Sequence, residues 1–369
     1  MASVQLNMIT QFTSNHSAGP LRHIGEGACG SVWCASSKSF PYSANTPLVL
    51  KREDMSDVRS ITHEAEIHHH ILQALANPRV ATTITTFRVN IPLSQGLLHH
   101  TNSAAWSQIL PRLPAGYTAC SALVSEKVHP FPFRVRKLLL EQLTACEDPQ
   151  KVAQGHMNTH CLIRAYLGKR KYSRVEEDAR PAHLKKLRPY SLRNFPLCVD
   201  QMEDLELDVE GYALAMAAAL AFMHWTAKVD ANDVEFVLGQ RRSDKTRQTL
   251  PCVGEKDFES AALGPHALWV LDFDCCREMT MDEEGVKTAC KSFWRNDQYY
   301  PRPGSNNPFD QRLWAVFREQ FLKTSDGLLE SDNEEVKKLP VMLMDMIEET
   351  KGKSLRGALV SDDHIEGQK

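Results

Sequence analysis

The chain has 369 residues, 42% of them hydrophobic and 24% charged, and a formal net charge of −3. That length supports two lobes around a substantial core, while the near-balanced charge offers no electrostatic footprint for nucleic acid or an anionic membrane surface. No apolar run reaches the ~18 residues of a membrane helix, and Met1 to Pro20 lacks a basic-then-apolar leader, so an intracellular setting, cytoplasmic or nuclear, is expected.

The ten cysteines are then expected to be free thiols. No CxxC occurs, and the nearest grouping, Cys146, His156, His160 and Cys161, lacks paired ligand spacing. No zinc is expected.

Residues 1–20 read as a polar, flexible lead-in. From Leu21 to Trp33 the pattern GxGxxGxV, with Gly25, Gly27, Gly30 and Val32, predicts strand, glycine turn, strand. Glycines there let the backbone come close to phosphates and donate N–H groups to them. Ser31 to Ala35 continues as strand, so the turn belongs to a hairpin and not to a strand-to-helix dinucleotide junction. Pro47 to Lys51 is the next strand and ends in a lysine.

A helix follows over roughly 60–75, with Ile67, Ile71 and Leu75 recurring every four residues. Glu64 lies three residues before Ile67 and therefore on the inward face, whereas Glu66 points elsewhere. Glu64 is thus the expected partner of Lys51, with simple solvation of both glutamates as the alternative. Asn77-Pro78 ends the helix. Residues 80–90 alternate like a strand, 91–117 read as a loop broken by Pro, Gly and Ser, and Ala119 to Val128 is again strand-like.

Helical periodicity dominates from Arg134. Cys161 to Gly168 predicts a strand, Lys169-Arg170-Lys171 a solvated turn, with contact to phosphate or an acidic partner as the alternative, and 172–190 a charged loop. The Ala-rich helix Tyr212 to Trp225 runs into a polar loop with Asp230 and Glu235, then a strand Phe236 to Leu238. A second strand, Leu268 to Leu271, ends in Asp272. If these strands pair, Asp230, Glu235 and Asp272 converge at one mouth, an arrangement able to hold a divalent metal against phosphate. Turn capping by Asp230 and Asp233 is the alternative. Residues 240–264 read as a hydrophilic, exposed insertion between the two strands. Amphipathic helices at 308–323 and 335–350 complete the chain before a polar tail.

In order, the glycine hairpin, strand lysine, helix glutamate, apolar helix, Asp-x4-Glu and Asp272-Phe-Asp274 resemble the protein-kinase-like fold. Blocks such as Ser191 to Pro196, Asp230 to Gly239 and Tyr299 to Pro303 are closer still to an uncharacterised filamentous-fungal family of kinase-like proteins, some of whose members are labelled zinc-finger proteins. The resemblance implies an α+β, two-lobed fold: a β-rich lobe over 21–128 with one main helix, and a larger helical lobe over 129–355, followed by a tail at 356–369. It also implies ATP with Mg²⁺ or Mn²⁺ as cofactor, and a protein or small-molecule substrate.

Carried over, Gly25, Gly27 and Gly30 would cover the phosphates, Lys51 would pair with Glu64, and Glu126 to Val128 would offer backbone groups to the adenine. Ser125 would stand behind them, Asp230 would be the catalytic base, and Glu235 and Asp272 would hold metal. The departures are Lys228-Val229 in place of His-Arg, Asn232 in place of lysine, Glu235 in place of asparagine, Asp274 in place of glycine, and no Ala-Pro-Glu. The resemblance therefore implies either an atypical phosphotransferase or a catalytically impaired pseudokinase acting as scaffold or regulator.

Overall fold

The computed structural model describes residues 19–35, 47–54, 59–77, 80, 88–171, 191–242, 257–296 and 298–350. Most of the expected lead-in, most of the 80–90 strand, the 172–190 loop, most of the 240–264 insertion and the tail lie outside the described residues.

The chain is α+β. Strands β1 (Arg22–Glu26) and β2 (Ser31–Cys34) form the glycine hairpin, with Gly27 N–H donating to Gly30 O at 2.9 Å. Strand β3 (Leu48–Arg52) leads to helix α1 (Ile61–Leu75), whose N-cap Ser60 accepts from His63 N–H. After β4 (Val89–Asn90), β5 (Ser94–Leu98) and α2 (Ser103–Ile109) comes β6 (Ala122–Glu126). The first sheet has the order β1-β2-β3-β6-β5, so Lys51 sits on its central strand.

The 91–117 stretch is therefore not a loop: it supplies an edge strand and a helix capped by the Asn102 side chain. Trp106, 2% exposed, anchors that helix in a small core with Trp33, Leu50 and Val124. The guanidinium of buried Arg52 lies 5.1 Å from the centres of both the Trp106 and Tyr117 rings, where cation–π attraction replaces part of the lost hydration.

Beyond the stretch after β6 run α3 (Phe133–Leu143), α4 (Pro149–Gln154), β7 (Ile163–Tyr166), β8 (Phe195–Cys198), α5 (Val199–Asp204) and α6 (Val209–Ala221). Helix α6 continues as a π-helical turn, Phe222–Thr226. Strands β9 (Glu235–Gly239), β10 (Asp257–Ser260) and β11 (Gly264–Leu271) precede α7 (Glu283–Arg295), α8 (Pro308–Leu328) and α9 (Glu334–Thr350). The second sheet runs β10-β11-β9-β7-β8, with β4 on β11.

Alanines 213, 215, 217, 218 and 219 of α6 are buried, and α6 packs along α8. Small side chains there let the two helices approach closely, so burial and not an amphipathic stripe fixes α6. No described helix is long and apolar enough to cross a membrane.

Two further expectations need correction. The ends of the 240–264 insertion belong to the fold: β10 pairs with β11, Phe258 is buried, and Arg242 is sunk against Glu126. The Lys169-Arg170-Lys171 turn is not merely solvated, because Arg170 binds Asp310 at 2.7 Å and Glu203 at 2.8 Å.

Candidate functional site

Between the two sheets lies a cavity of about 380 Å³. One wall is the glycine hairpin, β3 and α1, and contributes Gly25, Gly27, Val32, Val49, Lys51 and Glu64. Lys51 Nζ lies 2.7 Å from Glu64 Oε2 and 2.6 Å from Asp272 Oδ1. Burial alone would lower the Lys51 pKa, but the two carboxylates outweigh it and hold the ammonium charged. Burial pushes Glu64 up to about 7 against the pull of Lys51.

Of the three glycines, Gly25 and Gly27 line the cavity and Gly30 does not. A Cβ on Gly27 would meet nothing within 4 Å, whereas one on Gly30 would stand 2.0 Å from Arg52 O. Gly30 is thus a close-packing residue between the hairpin and β3, and its expected place over the phosphates is corrected. Asp54 completes that junction by accepting from Ser31 N–H at 2.8 Å.

In the stretch after β6 the backbone groups are unequally available. Glu126 N–H is used, donating to Leu93 O at 2.8 Å. The Glu126 carboxylate takes the Arg242 guanidinium at 2.6 Å, which also donates to Asn90 and Ile91 and lies 4.6 Å from the Trp269 ring centre. Glu126 can reach a ligand only through its carbonyl. Val128 N–H donates to no acceptor among the described residues, and Ser125 and Val128 both line the cavity.

On the opposite wall β9 and β11 do pair, with Glu235 opposite Leu271. Glu235 and Asp272 line the cavity, but Asp230 does not. Asp230 is 3% exposed, and its Oδ1 accepts from Arg277 N–H at 2.9 Å and Asn232 N–H at 3.1 Å. Burial raises its pKa, and those two N–H groups oppose the rise. The acid expected to act as base thus closes its own turn, as a capping residue does.

Each remaining acid has an internal cation. Arg164 of β7 is ion-paired with Glu235, whose carboxyl burial pushes up to about 7 despite that arginine. Arg59, just ahead of α1, reaches Asp233 and Asp274, both at 3.0 Å. Asp274 also accepts the Cys29 thiol at 3.2 Å, tying the glycine turn to the far wall. Burial would raise the Asp274 pKa, but Lys51, Cys29 and Arg59 hold it below the ordinary range.

Sequence reasoning passed over Arg59 and Arg164. Arg164 left a signal, a lone charge in the buried strand Ile163-Arg-Ala-Tyr166 that needs a partner. Arg59 left none, since its partners are far away in sequence.

The backbone around these acids is unusual. Among the described residues, Lys228, Ala231, Asp233 and Asp272 have φ of 53°, 52°, 61° and 66°. Left-handed non-glycine residues cost ~1 kcal/mol or more each and gather at functional sites. The turn places Asp272, a hard oxygen donor suited to Mg²⁺ or Mn²⁺, at the cavity, while Glu235 is engaged by Arg164. Asp233, Asp274 and Cys275 offer ligand atoms within 4.8 Å of one another, but the Arg59 guanidinium already bridges the two carboxylates.

A family model, DUF3669, described as a zinc finger protein, matches residues 268–333. That segment runs from β11 to just beyond α8 and carries Cys275, Cys276 and Cys290 but no histidine. No curated protein matches the chain.

Proposed function

We propose that this is a protein of two-lobed, kinase-like fold that binds a nucleoside triphosphate with a divalent cation in the cavity between its sheets. The observation that carries the reading is Lys51, a charged lysine on the central strand, held between Glu64 of α1 and Asp272 at a cavity roofed by Gly25 and Gly27. An ammonium so placed suits phosphate oxygens. Asp272 would hold the metal, whose contribution is to neutralise phosphate charge.

Within this reading the pseudokinase alternative is favoured over vigorous phosphoryl transfer. The support is specific: Asp230 is absent from the cavity lining and bound by two backbone N–H groups, and Glu235 is engaged by Arg164. A general base must reach the proton it removes.

Thermal unfolding with ATP, with and without Mg²⁺ or Mn²⁺, tests binding: stabilisation that grows with ligand is expected, and none with any nucleotide would end the proposal. Turnover of the γ-phosphate over protein and metabolite panels tests chemistry. Activity lost on Asp230→Asn would restore the phosphotransferase reading.

A further inference from the structure

His160 stands between the short 3₁₀ turn His156–Asn158 and β7, and it lines the cavity together with Val128, Pro130 and Leu162. Both its ring nitrogens are buried, and neither has a hydrogen-bond partner among the described residues. A buried polar atom left unpaired costs about 1–3 kcal/mol, so an imidazole with two of them calls for a partner. Burial first, then the charges of Lys127, His156, Arg22 and Arg193, pull its pKa down to about 4. The ring is therefore neutral at neutral pH and offers one donor and one acceptor.

Its position separates it from the phosphate end. A Cβ on Gly239 would lie 2.8 Å from Val128 Cγ1, 3.0 Å from His129 O and 3.2 Å from Leu162 Cδ2. The segment carrying His160 and Leu162 thus adjoins the stretch after β6, where Val128 N–H also lacks an acceptor among the described residues. A neutral donor–acceptor pair suits an uncharged hydrogen-bonding edge, that of a base or a ribose, and not a phosphate.

We infer that His160 is a ligand-binding residue that, on turning a ring nitrogen toward the cavity it lines, hydrogen-bonds the nucleoside portion of the nucleotide held there. This rests on the nucleotide-binding reading above.

The test is thermal unfolding of the full chain and of His160→Leu, each alone, with ATP and Mg²⁺, and with inorganic tripolyphosphate and Mg²⁺. Removing the unpaired imidazole should raise the melting temperature of the free protein while weakening ATP about tenfold, the equivalent of one hydrogen bond. Tripolyphosphate should protect both proteins equally. His160→Gln, which keeps a donor and an acceptor, should retain ATP affinity within about threefold.

Equal ATP affinity in wild type and His160→Leu would overturn the inference and leave nucleotide binding standing. So would an equal loss of ATP and tripolyphosphate binding, or an ATP affinity in His160→Gln reduced about tenfold or more. Failure of the wild type to respond to either ligand would overturn both.

Discussion

The two walls of the cavity handle charge in opposite ways. On the wall of β1, β2, β3 and α1, two glycines line the cavity and a single lysine stands over its own buried glutamate. On the wall of β7, β9 and β11, the Asp230 carboxylate is folded into backbone N–H groups, Glu235 is held by Arg164, and Asp233 and Asp274 share Arg59. Asp272 reaches across to Lys51, and Asp274 reaches across to Cys29 and Arg59. The first wall is arranged to receive negative charge, while the second has neutralised most of its own. On the proposed function, holding a phosphate and moving one would be separable properties of this cavity.

The sharpest way to break that contrast is Lys51→Met. Glu64 is 4% exposed, and removing one partner of a buried pair costs about 3–5 kcal/mol. Denaturant unfolding should register that loss, nucleotide protection should disappear, and Glu64→Gln added to the variant should recover part of the stability. A Lys51→Met protein as stable as wild type would mean the pair is not formed.

Gly30→Ala should cost about 3 kcal/mol, because its methyl would have to displace the Arg52 carbonyl. Nucleotide protection should survive, since Gly30 does not line the cavity. On the second wall, Arg164→Gln removes the charge beside Glu235 and should cost about 2 kcal/mol. If Arg164 occupies a cation's place, the variant should bind Mn²⁺ more tightly in the presence of nucleotide, as read by calorimetry. Weaker Mn²⁺ binding would show that Arg164 does not compete with a metal.

A subtler probe is His224, fully enclosed below the Asp230 loop, with Nδ1 3.0 Å from Val229 O. Burial pulls its pKa from 6.5 to about 4. Between those values the unfolded chain binds a proton that the folded one refuses, so wild-type stability falls as pH drops through that window. The stability difference should move in favour of His224→Leu by ~1.4 kcal/mol per pH unit there. A difference independent of pH would show that the histidine is protonated in place. The smallest effect is expected from Gly27→Ala, within about 0.5 kcal/mol of wild type in stability. If nucleotide protection nevertheless weakens, the backbone approach to phosphate at Gly27 is the cause.

The same contrast governs what was legible in the sequence. Glu64 could be placed because helical periodicity with Ile67 and Ile71 fixes its face. Lys51 was placed by the resemblance, which sets a lysine at the end of this apolar run. Strand pairing of β9 and β11 followed from two apolar runs.

On the other wall the decisive partners lie far off in the chain: Arg277 for Asp230, and Arg164 for Glu235 through a strand register that no local pattern encodes. A carboxylate satisfied by distant backbone looks in sequence like one waiting for a metal. Helix α2 was missed for another reason, since Asn102 ahead of Ser103-Ala-Ala-Trp is a usable cap signal obscured by neighbouring turn residues.

The π-helical turn at Phe222–Thr226, closed by Ala227 N–H on Phe222 O at 3.0 Å, governs the direction of everything after it. A π turn accommodates one residue more than the same stretch of α-helix, and deleting one residue would swing the exit by about 100°. Val229 would leave its bridge to Glu278, and Asp230 would lose the Arg277 N–H. The loop is therefore aimed by an angular phase counted in residues.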